Sequence, residues 1–63
     1  MKVRIKSFNG KLASFLTENK WYEVESCSDI AGYLFITDDF DYTRSITIKN
    51  CFYLNGGSWE VLE

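Results

Sequence analysis

The stretch Trp21-Tyr22-Glu23-Val24-Glu25-Ser26-Cys27 shows the alternation that decides the fold class. Successive side chains of a β-strand point to opposite faces, so Tyr22 and Val24 share one face, and Trp21 shares the other with two glutamates. Because carboxylates stay in water, the face that carries Tyr22 and Val24 is the one that points into a core. The stretch therefore predicts a half-buried strand over residues 21–27, with Trp21 partly wet.

The same period of two recurs on both sides of this stretch. Val3 and Ile5 alternate with basic residues near the N-terminus, and Tyr33–Thr37 is a continuous apolar run that predicts the most buried, central strand. A loop is predicted over residues 28–32, and a short irregular or 3₁₀ segment over residues 50–54. The four other predicted strands are residues 1–6, 33–37, 42–49 and 58–62.

Five short strands, one long loop after the first strand and short later connections predict a small five-stranded antiparallel barrel, an all-β fold. Closure into a barrel would remove most of the sheet edge that an open sheet of this size leaves in water. A chain of 63 residues has room for a single core, so residues 1–63 are predicted to form one domain. The expected interior consists of Val3, Ile5, Tyr22, Val24, Phe35, Ile48, Trp59 and Val61.

The composition excludes several classes of function. The chain has no histidine, which excludes Ser-His-Asp and Cys-His catalysis and histidine-ligated metal sites. Basic residues concentrate in residues 1–20, and the isoelectric point of about 5.0 disfavours general nucleic-acid binding. No stretch approaches the roughly 20 apolar residues of a membrane span, and no apolar region of a signal peptide follows the first basic residues. We therefore expect a cytoplasmic protein without a membrane association.

Four stretches together resemble a class of tiny bacteriophage and prophage proteins. They are Val3-Arg4-Ile5, residues 16–25 with the sequence LTENKWYEVE, Tyr33 through Asp38-Asp39, and Trp59-Glu60-Val61-Leu62-Glu63. The pattern of that class is a leading V-x-[CI], then L-T-x-G-K-x-Y-E-V, then Y-x-[IV]-x-D-D-x-G and a terminal aromatic-E-V. The resemblance implies an SH3-like barrel, and it says almost nothing about activity because these proteins are mostly uncharacterised.

The chain departs from this pattern in three places. Asn19 stands where the class has glycine, and asparagine tolerates the left-handed conformation that such a turn needs. Phe40 stands near the glycine expected after the two aspartates. Residues 48–58 are longer than usual, so Phe52 and Trp59 both qualify as the closing aromatic residue, and Trp59 fits better because Glu-Val follows it.

The aromatic residues indicate a binding surface. Two Trp, four Tyr and five Phe give eleven rings, more than a core of this size can hold, and the surplus includes Phe8, Phe15 and Phe52. Trp and Tyr dominate the energetics of protein interfaces, and an acidic rim would favour a basic partner. The predicted protein-binding face comprises Trp21, Glu23, Glu25, Asp39, Phe40, Asp41, Tyr42 and Tyr53, with Trp21, Phe40 and Tyr42 as its first anchors.

Two further motifs favour a structural interpretation. Asp38-Asp39-Phe40-Asp41 lacks the glycine and the distal glutamate of a calcium loop, so its aspartates are predicted to cap backbone amides. Cys27 and Cys51 are predicted to be free thiols, because the expected compartment is reducing and neither has a sequence neighbour that would activate it. The sequence thus predicts no catalytic residue, no metal site and no cofactor.

Three hypotheses from different classes follow. The first is a non-enzymatic phage-type accessory protein that binds a host or phage protein, for example as an inhibitor of a host enzyme or defence factor. The second is a small nucleic-acid-binding barrel that uses the basic first strand, Lys2, Arg4 and Lys6, with exposed rings as a stacking platform. The third is a structural barrel that associates with itself as a homodimer.

Overall fold

A computed structural model describes residues 1–28 and 32–63 of the chain. Five strands form one antiparallel sheet in the order β4-β3-β2-β1-β5. Their bounds are β1 Lys2–Ser7, β2 Tyr22–Cys27, β3 Tyr33–Thr37, β4 Thr43–Thr47 and β5 Ser58–Leu62. A 3₁₀ turn, Phe52–Leu54, connects β4 to β5. The loop predicted over residues 28–32 lies largely outside the described residues.

The connections follow the arrangement of a small SH3-like barrel. β1 to β4 pair in chain order, and β5 returns to pair with the other edge of β1. The backbone N–H of Trp59 donates to the carbonyl oxygen of Ile48 at 2.8 Å, and Cys51 pairs with Gly57 in an isolated antiparallel bridge, so the chain that follows β4 lies beside the start of β5. The predicted all-β fold of five antiparallel strands with a short 3₁₀ segment is confirmed.

The core faces of β1 and β2 follow the predicted alternation. Val3 and Ile5 are buried, Tyr22 is buried, and Val24 is half-buried. The ring of Tyr22 meets Trp59 of β5 edge to face, with 6.0 Å between the ring centroids. The buried cluster consists of Val3, Ile5, Leu16, Tyr22, Leu34, Ile36, Ile46, Cys51, Leu54 and Trp59.

The predicted interior is wrong at Phe35. Leu34 and Ile36 are the buried residues of β3, and Phe35 lies half-buried on the opposite face, where its strand partners are Ser26 and Ser45. A continuous apolar run contains no charged residue that could identify the solvated face. β3 is also not the central strand, because β2 occupies the middle of the sheet.

The predicted interior is also wrong at two strand ends. Ile48 follows the last residue of β4, and Val61 lies near the end of β5; both side chains are 37% exposed. Each has the correct parity for the core face, because Ile46 and Trp59 two residues earlier are buried. The period of two therefore identifies the face but does not show where the core ends along a strand.

Left-handed backbone conformations occur at the expected kind of turn. Asn19 has φ 67°, so this asparagine adopts the left-handed conformation expected of it at this turn. After the two aspartates the left-handed residue is Asp41, with φ 68°, and not Phe40.

Cys27 is exposed and Cys51 is buried, and both are free thiols, as predicted. In the described ranges, no helix has the length and apolar character needed to cross a bilayer.

Candidate functional site

Asp38 organises the turn between β3 and β4. Its buried carboxylate accepts hydrogen bonds from the backbone N–H groups of Phe40 and Tyr42, both at 2.9 Å, and from Nε of Arg44 at 2.6 Å. Burial acts to raise the pKa of Asp38, but the hydrogen bond from Arg44 and those from the two amides together hold that pKa below its usual value. The capping role predicted for the aspartates is confirmed at Asp38, which also fixes the position of Arg44.

Asp39 joins the long first loop to the same turn. Its carboxylate accepts hydrogen bonds from Nζ of Lys20 and Oγ1 of Thr17, both at 2.6 Å, and from the hydroxyl of Tyr22 at 2.9 Å. The hydrogen bond from Lys20 is the largest of the effects that lower the pKa of Asp39. Asp39, predicted as part of the acidic rim, thus makes its polar contacts within the chain.

These two aspartates make the stability of the protein sensitive to acid. Because the pKa of each is lowered by folding, their contribution is fully present above the ordinary carboxyl pKa of about 3.9 and is lost as the pH falls through the lower folded values. We expect the urea concentration at the unfolding midpoint of the wild type to decrease once the pH is lowered below about 4. The midpoint of Asp39→Asn should be lower at neutral pH and less sensitive to acid.

Urea titrations of the wild type, Asp39→Asn and Thr17→Ala from neutral to acid pH test this expectation. Thr17→Ala keeps the carboxylate and removes one of its hydrogen bonds, so its acid sensitivity should be intermediate. An Asp39→Asn protein whose midpoint falls as steeply as that of the wild type would contradict the role of Asp39.

Three aromatic rings lie around the guanidinium of Arg44, and a fourth ring packs on one of them. Its guanidinium carbon lies 4.1 Å from the ring centroid of Phe15, 5.7 Å from that of Tyr42 and 5.8 Å from that of Tyr53. Tyr53 meets Phe15 at 5.5 Å and Phe52 at 5.6 Å, both edge to face. Such contacts between a cation and ring faces are individually weak but fix relative orientation. We call Arg44 and these four rings the Arg44 cluster.

A cavity of about 320 Å³ opens beside this cluster, which we call the Arg44 groove. The first loop, β4 and the 3₁₀ turn each contribute to its walls. Asn55, left-handed at φ 53°, ends the 3₁₀ turn, and its Nδ2 donates to the carbonyl oxygen of Asn9 at 2.7 Å, while Nδ2 of Asn9 donates back to the carbonyl oxygen of Asn55 at 3.2 Å. These reciprocal bonds hold two walls together. The groove is lined by Lys11, Ala13, Phe15, Arg44, Phe52, Tyr53 and Asn55.

The structure brings together only part of the predicted binding face. Tyr42 and Tyr53 belong to the Arg44 cluster, and Phe40, 58% exposed, and Asp41 lie in the adjoining turn. Trp21 lies elsewhere: its half-buried ring packs under the guanidinium of Arg4 at 4.4 Å. In residues 1–28 and 32–63, no hydrogen bond or ring contact joins Trp21 to the cluster.

The remaining predicted residues lie on the strands. Glu23 and Glu25 are exposed on β2. On β1, Lys2 and Lys6 are exposed, and Arg4 forms an ion pair with Glu60 of the neighbouring strand β5. Lys2 lies opposite Glu23 in the pairing of β1 with β2. The basic row predicted for nucleic acid is therefore flanked by carboxylates on both sides.

Sequence reasoning missed Arg44, Lys11 and the site role of Phe52. The number of aromatic residues predicts that Phe15 and Phe52 are surplus to the core, but nothing in the sequence around them shows which rings meet. One signal was available at Arg44: it shares a strand face with Tyr42 two residues earlier and follows Asp38 by six residues. In the described part of the chain, no group of three or more His, Cys, Asp or Glu side chains could hold a metal ion.

Comparison with known proteins gave no match to a family model, a curated protein or a solved structure.

Proposed function

We propose that this chain is a non-enzymatic binding module that recognises a protein partner through the Arg44 cluster. The exposure of Phe52 is the observation that carries the proposal. This ring is 86% exposed at the start of the 3₁₀ turn, and Tyr42, whose ring centroid lies 5.7 Å from the guanidinium carbon of Arg44, is 64% exposed. Single exposed rings are ordinary, but several exposed rings within one cluster beside a groove are typical of interaction sites.

The way in which the cluster is held supports a binding role. Arg44 is fixed by the buried Asp38, and Tyr53 is held between Phe15 and Phe52. Rings that are already oriented lose little conformational freedom when a partner binds, so more of their contact energy becomes affinity. A phage-type accessory role, such as inhibition of a host enzyme by covering its surface, fits a module of this kind and is part of the proposal.

The nucleic-acid alternative has weaker support. Arg4 is engaged by Glu60 and Trp21, and Glu23 lies opposite Lys2. A surface that tracks a phosphate backbone needs several uncompensated cations in a row. The flanking carboxylates reduce the positive potential of β1.

Alanine variants of the exposed rings test the proposal. Proteins that bind the chain are captured from host-cell lysate and quantified by mass spectrometry. Phe52→Ala and Tyr42→Ala should each weaken the binding of a specifically captured protein by about 2 kcal/mol or more, which is a roughly thirtyfold loss of affinity. Thermal melting should change little, because both side chains are largely in water.

Leu62→Ala is the matched control, since it removes an exposed apolar side chain from the end of β5. Trp21→Ala tests the second aromatic surface, and Lys2→Glu with Lys6→Glu tests the basic row. If the charge reversals abolish binding and the two ring variants do not, the basic strand is the functional surface and the proposal fails.

A further inference from the structure

The charge of the Arg44 groove differs from that of the chain. Lys11 and Arg44 line it, and among the described lining residues none is acidic. The carboxylate of Asp38 is bound to Nε of Arg44 and neutralises one of the two positive charges, which leaves one net positive charge at the groove. The whole chain has a net charge of −2. The groove is thus a local cationic site on an acidic protein.

Arg44 is arranged to receive a carboxylate. Its Nε is committed to Asp38, whose side chain is fully buried, so the plane of the guanidinium is fixed against Phe15. The side chain of Tyr53, which lines the same groove, also interacts with that of Arg44. The other four N–H bonds of a guanidinium are on its two terminal nitrogens, in a planar fork that matches a carboxylate. The side chain of Arg44 is 29% exposed, and it lines the groove.

The rest of the lining is mainly apolar. Ala13, Phe15, Phe52 and Tyr53 surround the cations, and the volume of about 320 Å³ is at the small end of the range for ligand sites, roughly 300–1,000 Å³. Such a volume accommodates a few side chains. With one net positive charge, it matches one acidic group together with apolar neighbours.

We infer that the Arg44 groove binds a segment of a partner protein that presents one Asp or Glu side chain between apolar or aromatic side chains. The inference rests on the proposed function and adds the chemistry of the partner. The carboxylate binds between Lys11 and Arg44, and the apolar neighbours pack on Phe15, Phe52 and Tyr53. This partner differs from the basic one that the acidic composition predicts.

A nucleic acid fits the groove less well than such a peptide. The rings could stack on bases, but a polyanion must be neutralised at several phosphates, and Asp38 already neutralises Arg44. Binding of single-stranded DNA is therefore an outcome that the test must detect.

The test uses three synthetic peptides that differ at one position. Each presents Phe and Leu around a central Glu, Gln or Lys, and each is titrated into the full ¹⁵N-labelled chain while amide shifts are followed. We expect the Glu peptide to perturb the amides of Phe52, Tyr53 and Asn55 and to bind about tenfold more tightly than the Gln peptide. Added salt should reduce that preference.

Two variants separate charge from apolar contact. Lys11→Glu should remove the preference for Glu over Gln, since Lys11 is exposed and its replacement leaves the Asp38–Arg44 pair intact. Phe52→Ala should weaken the Glu and Gln peptides by the same factor, about thirtyfold for a true anchor. Lys2→Glu is the matched charge reversal outside the groove and should change neither affinity.

The possible outcomes distinguish a failure of this inference from a failure of the proposed function as a protein-binding module. Equal binding of the Glu and Gln peptides, tighter binding of the Lys peptide, or no shift in the groove overturns the inference. Oligothymidylate is titrated in the same way. If it shifts the same amides more strongly than the Glu peptide does, and if added salt reduces that shift, the groove binds nucleic acid and the inference is wrong. The proposed function fails separately, if Phe52→Ala and Tyr42→Ala leave capture of the partner unchanged.

Discussion

Replacement of Gly57 by alanine is expected to unfold the protein at room temperature. A Cβ atom on residue 57 would lie 2.0 Å from the carbonyl oxygen of Ser7 and 2.7 Å from Cα of Phe8. Both are backbone atoms, so no side-chain rotation relieves the overlap. Gly57 is itself held by its N–H, which donates to the carbonyl of Leu54 at 3.0 Å, and by its carbonyl, which accepts from the N–H of Cys51 at 2.8 Å.

The clash is large compared with the stability of so small a domain. Overpacking of a core costs about 1–3 kcal/mol where side chains can adjust, and more is expected where backbone meets backbone. A single core of this size rarely supplies more than about 3–5 kcal/mol. We therefore expect Gly57→Ala to lose the dispersed amide spectrum and the cooperative thermal transition of the wild type.

Gly10→Ala is the control for glycine replacement in general. Gly10 has φ 66°, and its added Cβ would meet only Nδ2 of Asn55 at 3.5 Å, an ordinary contact. The left-handed conformation alone costs roughly 1–2 kcal/mol, so this variant should fold with a lowered melting temperature. A Gly57→Ala protein at least as stable as Gly10→Ala would show that the turn before β5 does not approach β1 as closely as the structure has it.

The parts of the fold that were predictable from the sequence are those with a local signal. In β2 the glutamates mark the wet face, so Tyr22 and Val24 could be assigned to the core. Asn19 and the run 55–57 mark turns, because few residues adopt the left-handed conformation without strain. The face of β3 had no such mark, since Tyr33–Thr37 contains no charged residue, and its assignment was wrong.

The candidate site was predictable only in part, because its contacts join distant segments. The capping role of Asp38 is local, with partners at residues 40 and 42. The rings of Phe15 and Tyr53 meet only because the first loop packs against the 3₁₀ turn. A count of rings indicates that some are exposed, but it does not show that Tyr42 lies near Arg44 while Trp21 packs under Arg4.

The second large effect is expected at Ile46, with Ile48 as its matched partner. Ile46 is 1% exposed and lies opposite Leu34 in the pairing of β3 with β4, whereas Ile48 is 37% exposed directly after β4. Ile46→Ala should destabilise the protein by about 2–5 kcal/mol, through lost apolar burial and the cavity that remains. Ile48→Ala should cost about 1.5 kcal/mol or less, because part of its surface is already in water and no enclosed cavity is left.

The two variants share the same chemical change at positions of the same parity along the chain, so their difference chiefly reports burial. Urea midpoints, analysed with a common slope, measure it. The backbone carbonyl of Ile48, which accepts from Trp59, is untouched by either change. If Ile48→Ala costs as much as Ile46→Ala, the rim of the sheet at Ile48 is covered in solution. Cover by a second copy of the chain, as in the homodimer hypothesis, would make the urea midpoint of the wild type rise with protein concentration. A midpoint independent of protein concentration, together with a small effect at Ile48, would instead confirm that the rim is exposed to solvent.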